Sequence, residues 1–354
     1  MGKRRWPLWL SGMVLLTGAG LGILASFLVR WGNPGNMGLC VACFLRDIAG
    51  ALGFHRATGL QYIRPEIIGI ILGSFLVSSL AGEFRPRGGS LPLLRFVLGM
   101  FSMIGALMFL GCPVRMALRL SGGDLNAILG LFGFASGIYL GVIFLRKGFS
   151  LGRSRRIGKA SGFILPVIVL GLIIVLIARP AFIFFSQKGP GSQHAPIFLS
   201  LLAGLVIGAI AQRSRFCLVG GIRDFILIRN PYLFFGLIAL IVSGFLTNLF
   251  LGQFHLSFSD QPVAHQAHLW NFLGMMLVGL CGVFLGGCPF RQLILAGEGN
   301  VDATFVVLGM LAGVALAHNF NLASSPQGPT TYGQIAVIAF LFLALLIGLK
   351  EKEA

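Results

Sequence analysis

Charge is what this sequence has least of. Acidic residues number 10 and basic residues 27 in 354, so 10% of the chain is charged, against about 25% in a soluble domain. Hydrophobic residues make up 56% and the mean hydropathy is +0.91. One aqueous core cannot hide that much apolar surface, so an ordinary soluble fold is excluded and lipid-facing helices are predicted. Cysteine is also scarce: six in so long a chain, in or beside apolar segments, exclude a disulfide scaffold. Acid is rarer than base, and a net charge of +17 could suggest a polyanion. The basic residues sit at the ends of apolar runs, not on one face, which argues against nucleic acid. Glycine, by contrast, is abundant at 51 residues, which suits close helix packing and irregular backbone within a membrane bundle.

The fold class predicted is all-α, a polytopic membrane helical bundle. About ten candidate spans fall near 6–30, 65–84, 92–111, 125–145, 161–178, 196–212, 232–252, 270–287, 303–319 and 331–349. Lys3, Arg4 and Arg5 before the apolar run from Trp6 to Val29 resemble a signal peptide. The run is long enough to span and shows no clear small-residue cleavage site, so it reads as the first transmembrane helix. With a cytoplasmic N-terminus, more than two-thirds of the 27 basic residues fall on cytoplasmic segments, with a cluster from Arg146 to Lys159. Both termini are therefore expected inside, in a bacterial inner membrane.

Three sequence blocks recur. Cys40-Val41-Ala42-Cys43-Phe44-Leu45-Arg46-Asp47 matches Cys217-Leu218-Val219-Gly220-Gly221-Ile222-Arg223-Asp224 at an offset of 177. Gly111-Cys112-Pro113-Val114-Arg115 matches Gly287-Cys288-Pro289-Phe290-Arg291 at 176, as Gly123–Ala127 matches Gly299–Ala303. Three matches in one order point to internal duplication. We expect a first membrane repeat at 1–178, a connecting loop at 179–195 and a second repeat at 196–354. Five spans per repeat is an odd number, so the halves are expected to be inverted, as in many transporters. Segments 36–55 and 213–229 are too short or too charged to span and are expected to be re-entrant helices, tolerated where they line a cavity or are buried in protein. Cys40 and Cys112 would then approach from outside, and Cys217 and Cys288 from inside.

Gly-Cys-Pro-x-Arg reads as a helix start, because proline suits the first helical position. Cys112 and Cys288 would sit at helix N-termini, which favour anions. Gly111 and Gly287 would let a ligand approach the backbone, while Arg115 and Arg291 add positive charge. Thiols are weak donors and acceptors, so neutral thiols can pass a polarizable anion without trapping it. The competing reading is packing, since cysteine is among the most buried residue types. Packing is preferred for Cys281, which has no duplicate, and is open for Cys43, which faces Gly220. Arg46–Asp47 and Arg223–Asp224 are either structural ion pairs or functional charges. Asp47, Asp224, Glu66 and Glu298 are candidate proton sites. His255, His265 and His268 share a loop that reads as solvated, and no metal site or cofactor is expected. The segments 122–126 and 297–300 read as turns and helix caps.

Gly32–Gly50, Gln61–Glu66, Gln212–Cys217 and Cys288–Gly299 resemble the YeeE/YedE sulfur-transport family, across nearly the whole chain, and in particular its YedE branch, which is associated with selenium. The resemblance implies a non-enzymatic permease for a small sulfur or selenium solute, thiosulfate-like or inorganic selenium. It implies Cys40, Cys112, Cys217 and Cys288 as a relay, membrane lipid as surroundings, and a cytosolic TusA-like sulfur carrier as a possible partner. The alternative is a membrane thiol–disulfide oxidoreductase using Cys40 and Cys43, a C-x-x-C on the expected outer side.

Overall fold

A computed structural model describes residues 8–351. Lys3, Arg4, Arg5, Trp6 and Lys352 lie outside the described residues. The fold is almost wholly helical: α1 (Leu8–Arg30), α2 (Val41–Ala51), α3 (Pro65–Leu80), α4 (Pro92–Phe109), α5 (Pro113–Ser121), α6 (Asn126–Arg146), α7 (Lys159–Gly162) and α8 (Ile164–Ala178). There follow α9 (Ile197–Ser214), α10 (Leu218–Ile228), α11 (Tyr232–Phe250), α12 (His268–Phe284), α13 (Pro289–Gly297), α14 (Val301–Asn319) and α15 (Thr331–Lys350). Two-residue strands at Arg87–Gly88 and Arg155–Arg156 pair antiparallel. Proline opens α3, α4, α5 and α13, where its missing N–H leaves no orphan.

Among the described residues, eight helical stretches are long and apolar enough to cross a membrane, and the shorter α3 and α8 are also apolar. The chain is a polytopic helical membrane bundle, with its helical runs at the ten predicted places. Its outer surface is apolar as lipid requires: Ile174 and Ile177 of α8 and Phe342 of α15 are each more than 60% exposed.

The packing repeats itself. α3 lies against α9 as α1 lies against α11, and α4 lies against α14 as α6 lies against α12. Close approach in the first two pairs depends on glycine. A Cβ at Gly69 would meet the Leu201 carbonyl at 2.5 Å, and one at Gly18 would strike the Gly236 carbonyl. Directions follow from the loops. Just after α1 ends, Asn33 Oδ1 accepts from the Ala195 N–H at 2.9 Å, just before α9 begins. The end of α1 and the start of α9 therefore share one face, here the first face. On the second face, Gln212 near the end of α9 donates to Glu83 beyond the end of α3 at 2.8 Å. The corresponding helices α1 and α9 run in opposite directions. The last long helices break the pattern: α8 packs on α3 and α13, whereas α15 packs on α12 and α4.

Candidate functional site

Four half-helices, α2, α5, α10 and α13, carry the duplicated cysteines, each at its N-cap: Cys40, Cys112, Cys217 and Cys288. All four are buried, with Cys217 the most exposed at 5%. Segments 36–55 and 213–229 do hold short helices in place of full spans, as expected from their length and charge; α2 is buried throughout and α10 over Leu218–Ile222. The ends of α2 and α5 reach the first face, where the Ala51 carbonyl accepts from Phe184 and the Gly122 carbonyl from His255. The ends of α10 and α13 reach the second face, where the Ile226 carbonyl accepts from Arg146 and Glu298 pairs with Arg215. Each cysteine thus occupies the inward end of its half-helix, where unpaired N–H groups gather.

The sulfurs of Cys40 and Cys217 take the place that a serine or aspartate oxygen usually fills in a helix cap. Cys40 Sγ accepts from Cys43 N–H and Cys217 Sγ from Gly220 N–H, both at 3.3 Å. The half-helices then join in pairs. Val41 N–H donates to Cys112 Sγ at 3.3 Å, and Cys288 N–H donates to Cys217 Sγ at 3.4 Å. The Cys217 and Cys288 sulfurs lie 3.9 Å apart. The two pairs belong to half-helices that meet, since α13 touches α2. All six thiols are free. Cys40 and Cys43 are 0% exposed, so a folded substrate protein has no access to that C-x-x-C as it stands.

The structure places Arg115 beside the first pair. Its Nε donates to the Asn36 carbonyl at 3.0 Å, its Nη1 to the Leu110 carbonyl and to Cys43 Sγ, and its Nη2 to the carbonyls of Pro262 and Val263. Cys43 is thereby a partner of Arg115. Its counterpart Gly220 has little room for a side chain, since a Cβ there would meet Leu233 Cδ1 at 2.9 Å. Arg291, beside the second pair, reaches Glu298 at 3.2 Å. The space beside Gly111 and Gly287 is taken by arginine: a Cβ would meet Arg115 Cδ at 2.9 Å and Arg291 Cγ at 3.0 Å. The glycines let each arginine fold back over its own helix start.

Arg46 and Asp47 are joined by a third group that sequence reading missed. Asp47 accepts from Arg46 at 2.8 Å and from Arg64 Nε at 2.8 Å, and Arg64 also donates to the Pro190 and Gln193 carbonyls. Arg46 is 2% exposed, and Asp47 and Arg64 are 0%. Buried charges of this kind must be paired, so the cluster ties α2 to the loops around it. Arg223 and Asp224 pair at 2.8 Å but are partly exposed. Glu66 is fully buried and accepts from Asn33 at 2.8 Å and Ser200 at 3.0 Å, with Oε2 unpartnered. Arg119–Asp124, at 2.6 Å and 0% exposed, was also missed; an ionisable group inside an apolar segment is the signal that could have found it. Among the histidines, His265 is buried and bonded to the Met108 carbonyl at 2.7 Å. Among the described residues no cluster could hold a metal ion. Asn300 caps α14, accepting from Ala303 N–H, and Asp124, one residue before the cap of α6, accepts from Asn126 N–H.

Cavities open on both faces. One of about 290 Å³ on the first face is lined by Asn36, Gly38, His255, Asp260 and Gln261 among others. One of about 280 Å³ on the second is lined by Glu83, Arg85, Arg87, Arg215 and Glu298. Glu83 at its rim is held below the usual carboxylate range, first by the Gln212 amide and then by Arg215 and Arg213.

Residues 213–348 match the profile of a protein family described as Sulphur transport. The chain is 31% identical over 143 residues to the thiosulfate transporter TsuA of Escherichia coli K12, covering 38% of this chain and 39% of that one. It is 29% identical over 113 residues to the thiosulfate transporter TsuA of Spirochaeta thermophila, covering 32% and 33%. The matched stretch thus spans well under half the length of these curated relatives. The family match contains both Cys217 and Cys288.

Proposed function

We propose, from the premise that this chain belongs to the YeeE/YedE sulphur transport family, matched over its residues 213–348, that it is a permease importing a small sulfur oxyanion of the thiosulfate type. The observation that carries this reading is the two buried thiol pairs, Cys40/Cys112 and Cys217/Cys288, at the inward ends of half-helices rooted on opposite faces. Inward N-termini present N–H groups to an anion. Thiols add weak, polarizable contacts that are easily exchanged, and Arg115 and Arg291 supply positive charge beside each pair. Gly111 and Gly287 serve the pathway through the arginines they accommodate.

In this reading the halves 1–178 and 196–354 are inverted repeats joined by 179–195, both termini are cytoplasmic, and the protein resides in the bacterial inner membrane. Moving a dianion such as thiosulfate inward against about 100 mV costs roughly 4.6 kcal/mol, about 2.3 for each charge, so import needs coupling or cytosolic consumption. Asp47, Asp224 and Glu298 each pair with arginine, whereas Glu66 has no arginine partner among the described residues. We therefore assign Glu66 the coupling role. A soluble TusA-like carrier would serve as the consuming partner.

The test is uptake of labelled thiosulfate into vesicles containing only this protein, with inorganic selenium species as competitors. Cys112→Ala and Cys288→Ala should each reduce uptake at least about tenfold, if each thiol contact is worth about 1.4 kcal/mol to the rate. Unchanged uptake in both variants would sink the relay. Preferential accumulation of a selenium species would change the cargo and leave the path.

A further inference from the structure

Arg115 and Arg291 occupy equivalent places, yet they are held differently. Arg115 uses all three of its nitrogens on four carbonyls and a thiol. Arg291 is 8% exposed, contacts Glu298 Oε1 through Nη2 at 3.2 Å, and has a buried Nη1 with no partner. A buried guanidinium N–H left open is costly and marks a place where an acceptor can arrive. Glu298 is itself shared: Arg215 Nη1 lies 2.9 Å from the same Oε1. It forms part of the wall of the second-face cavity, beside Arg85 and Arg87. In the first half the matching position is Gly122, so this acid exists on one side only.

A carboxylate held between two guanidiniums offers them what a sulfur oxyanion would offer. We propose that Glu298 is a tethered oxyanion that occupies Arg291 until a transported anion displaces it, and so gates the inner mouth. The inference rests on the anion-transport reading above. Displacement leaves no charge unpaired: Glu298 stays on Arg215 while the anion takes Arg291, so the exchange avoids the penalty of stranding a buried ion. When the anion moves on toward Arg85 and Arg87, the carboxylate returns and resists re-entry.

The gate is read without transport, by reaction of Cys288 in inside-out vesicles with charged methanethiosulfonates, scored by peptide mass spectrometry. The Cys288 sulfur attacks the thiosulfonate, a mixed disulfide forms and methanesulfinate leaves. Glu298→Gln should speed labelling by the anionic ethylsulfonate reagent about tenfold, the scale of one charge-assisted hydrogen bond. Glu298→Asp keeps the charge but is too short to hold both arginines, and should also speed it. Glu83→Gln removes the same charge from the same cavity without touching Arg291, and should change the rate less than about threefold. The cationic trimethylammonium reagent should not gain. Equal effects of Glu83→Gln and Glu298→Gln, a rise for both reagents, or no change in either Glu298 variant would each overturn the gate. Labelling that behaves as expected in vesicles that take up no sulfur or selenium anion would instead overturn the transport reading.

Discussion

Replacing Arg115 and Arg291 in turn by lysine should separate the two sides of the molecule. Lysine keeps the charge, but its ammonium is more strongly hydrated than a guanidinium, a cost both variants share, and it offers one nitrogen where arginine offers three. Arg115 binds the loop at Asn36, the end of α4 at Leu110 and the loop at Pro262–Val263 in three directions. An ammonium can satisfy one of these directions and strands the carbonyls of the other two. At about 1–2 kcal/mol for each direction lost, after discounting for water at the partly buried carbonyls, Arg115→Lys should cost about 2–4 kcal/mol. Arg291 has one contact that an ammonium can keep, to Glu298, and strands no carbonyl, so Arg291→Lys should cost less, about 1 kcal/mol. The assay is SDS titration in mixed micelles, followed with a thiol-reactive fluorophore. It suits this protein because all six cysteines are buried and free, so reaction with a bulky fluorophore, unlike that with a small methanethiosulfonate, reports unfolding. Equal losses in the two variants, or a loss below about 1 kcal/mol for Arg115→Lys, would refute the reasoning.

Two further outcomes concern the second face and the thiol pair beside it. With the Cys217 and Cys288 sulfurs 3.9 Å apart, a mild oxidant should form an intramolecular disulfide that stops uptake and is reversed by dithiothreitol; a peptide map showing only Cys40–Cys43 linkage would count against the pairing. Glu83 has a lowered carboxyl pKa, so its stabilisation of the second face is fully present above the ordinary carboxylate value and is lost only as pH falls through the lowered one. The thiol-exposure midpoint should therefore show no Glu83-dependent step between about pH 7 and 5; a step in that range that Glu83→Gln abolishes would contradict it.

The long helices were legible because lipid imposes a length and a composition, and proline or basic residues punctuate the ends. The run predicted at 92–111 forms a helix at Pro92–Phe109, and that at 125–145 forms one at Asn126–Arg146. The half-helices were legible because Cys-Pro and the charges at Arg46, Asp47, Arg223 and Asp224 interrupt the apolar pattern. The partners of those charges were not. Arg64 reaches Asp47 and two carbonyls near residue 190, and no spacing rule joins three segments so far apart. Cys43 reads as an extra thiol until Arg115 is seen against it at 3.4 Å. Gly111 and Gly287 read as openings for a ligand, but their free space holds the arginine four residues on. The different packing of α8 and α15 is also silent in sequence, since lipid-facing helices of this kind lack a distinctive stripe.

Because α1 and α9 run in opposite directions, a complex of two identical half-length chains would present the same mouth to both sides of the membrane. Such an assembly would have no way to tell arrival from departure. A single chain carrying both halves escapes that limit, because each mouth can change without its twin. Here the first mouth is lined by amides, an imidazole and one acid, and the second by three arginines and two glutamates. Directionality would then reside in a handful of side chains at one opening, on a scaffold whose backbone is nearly indifferent to it.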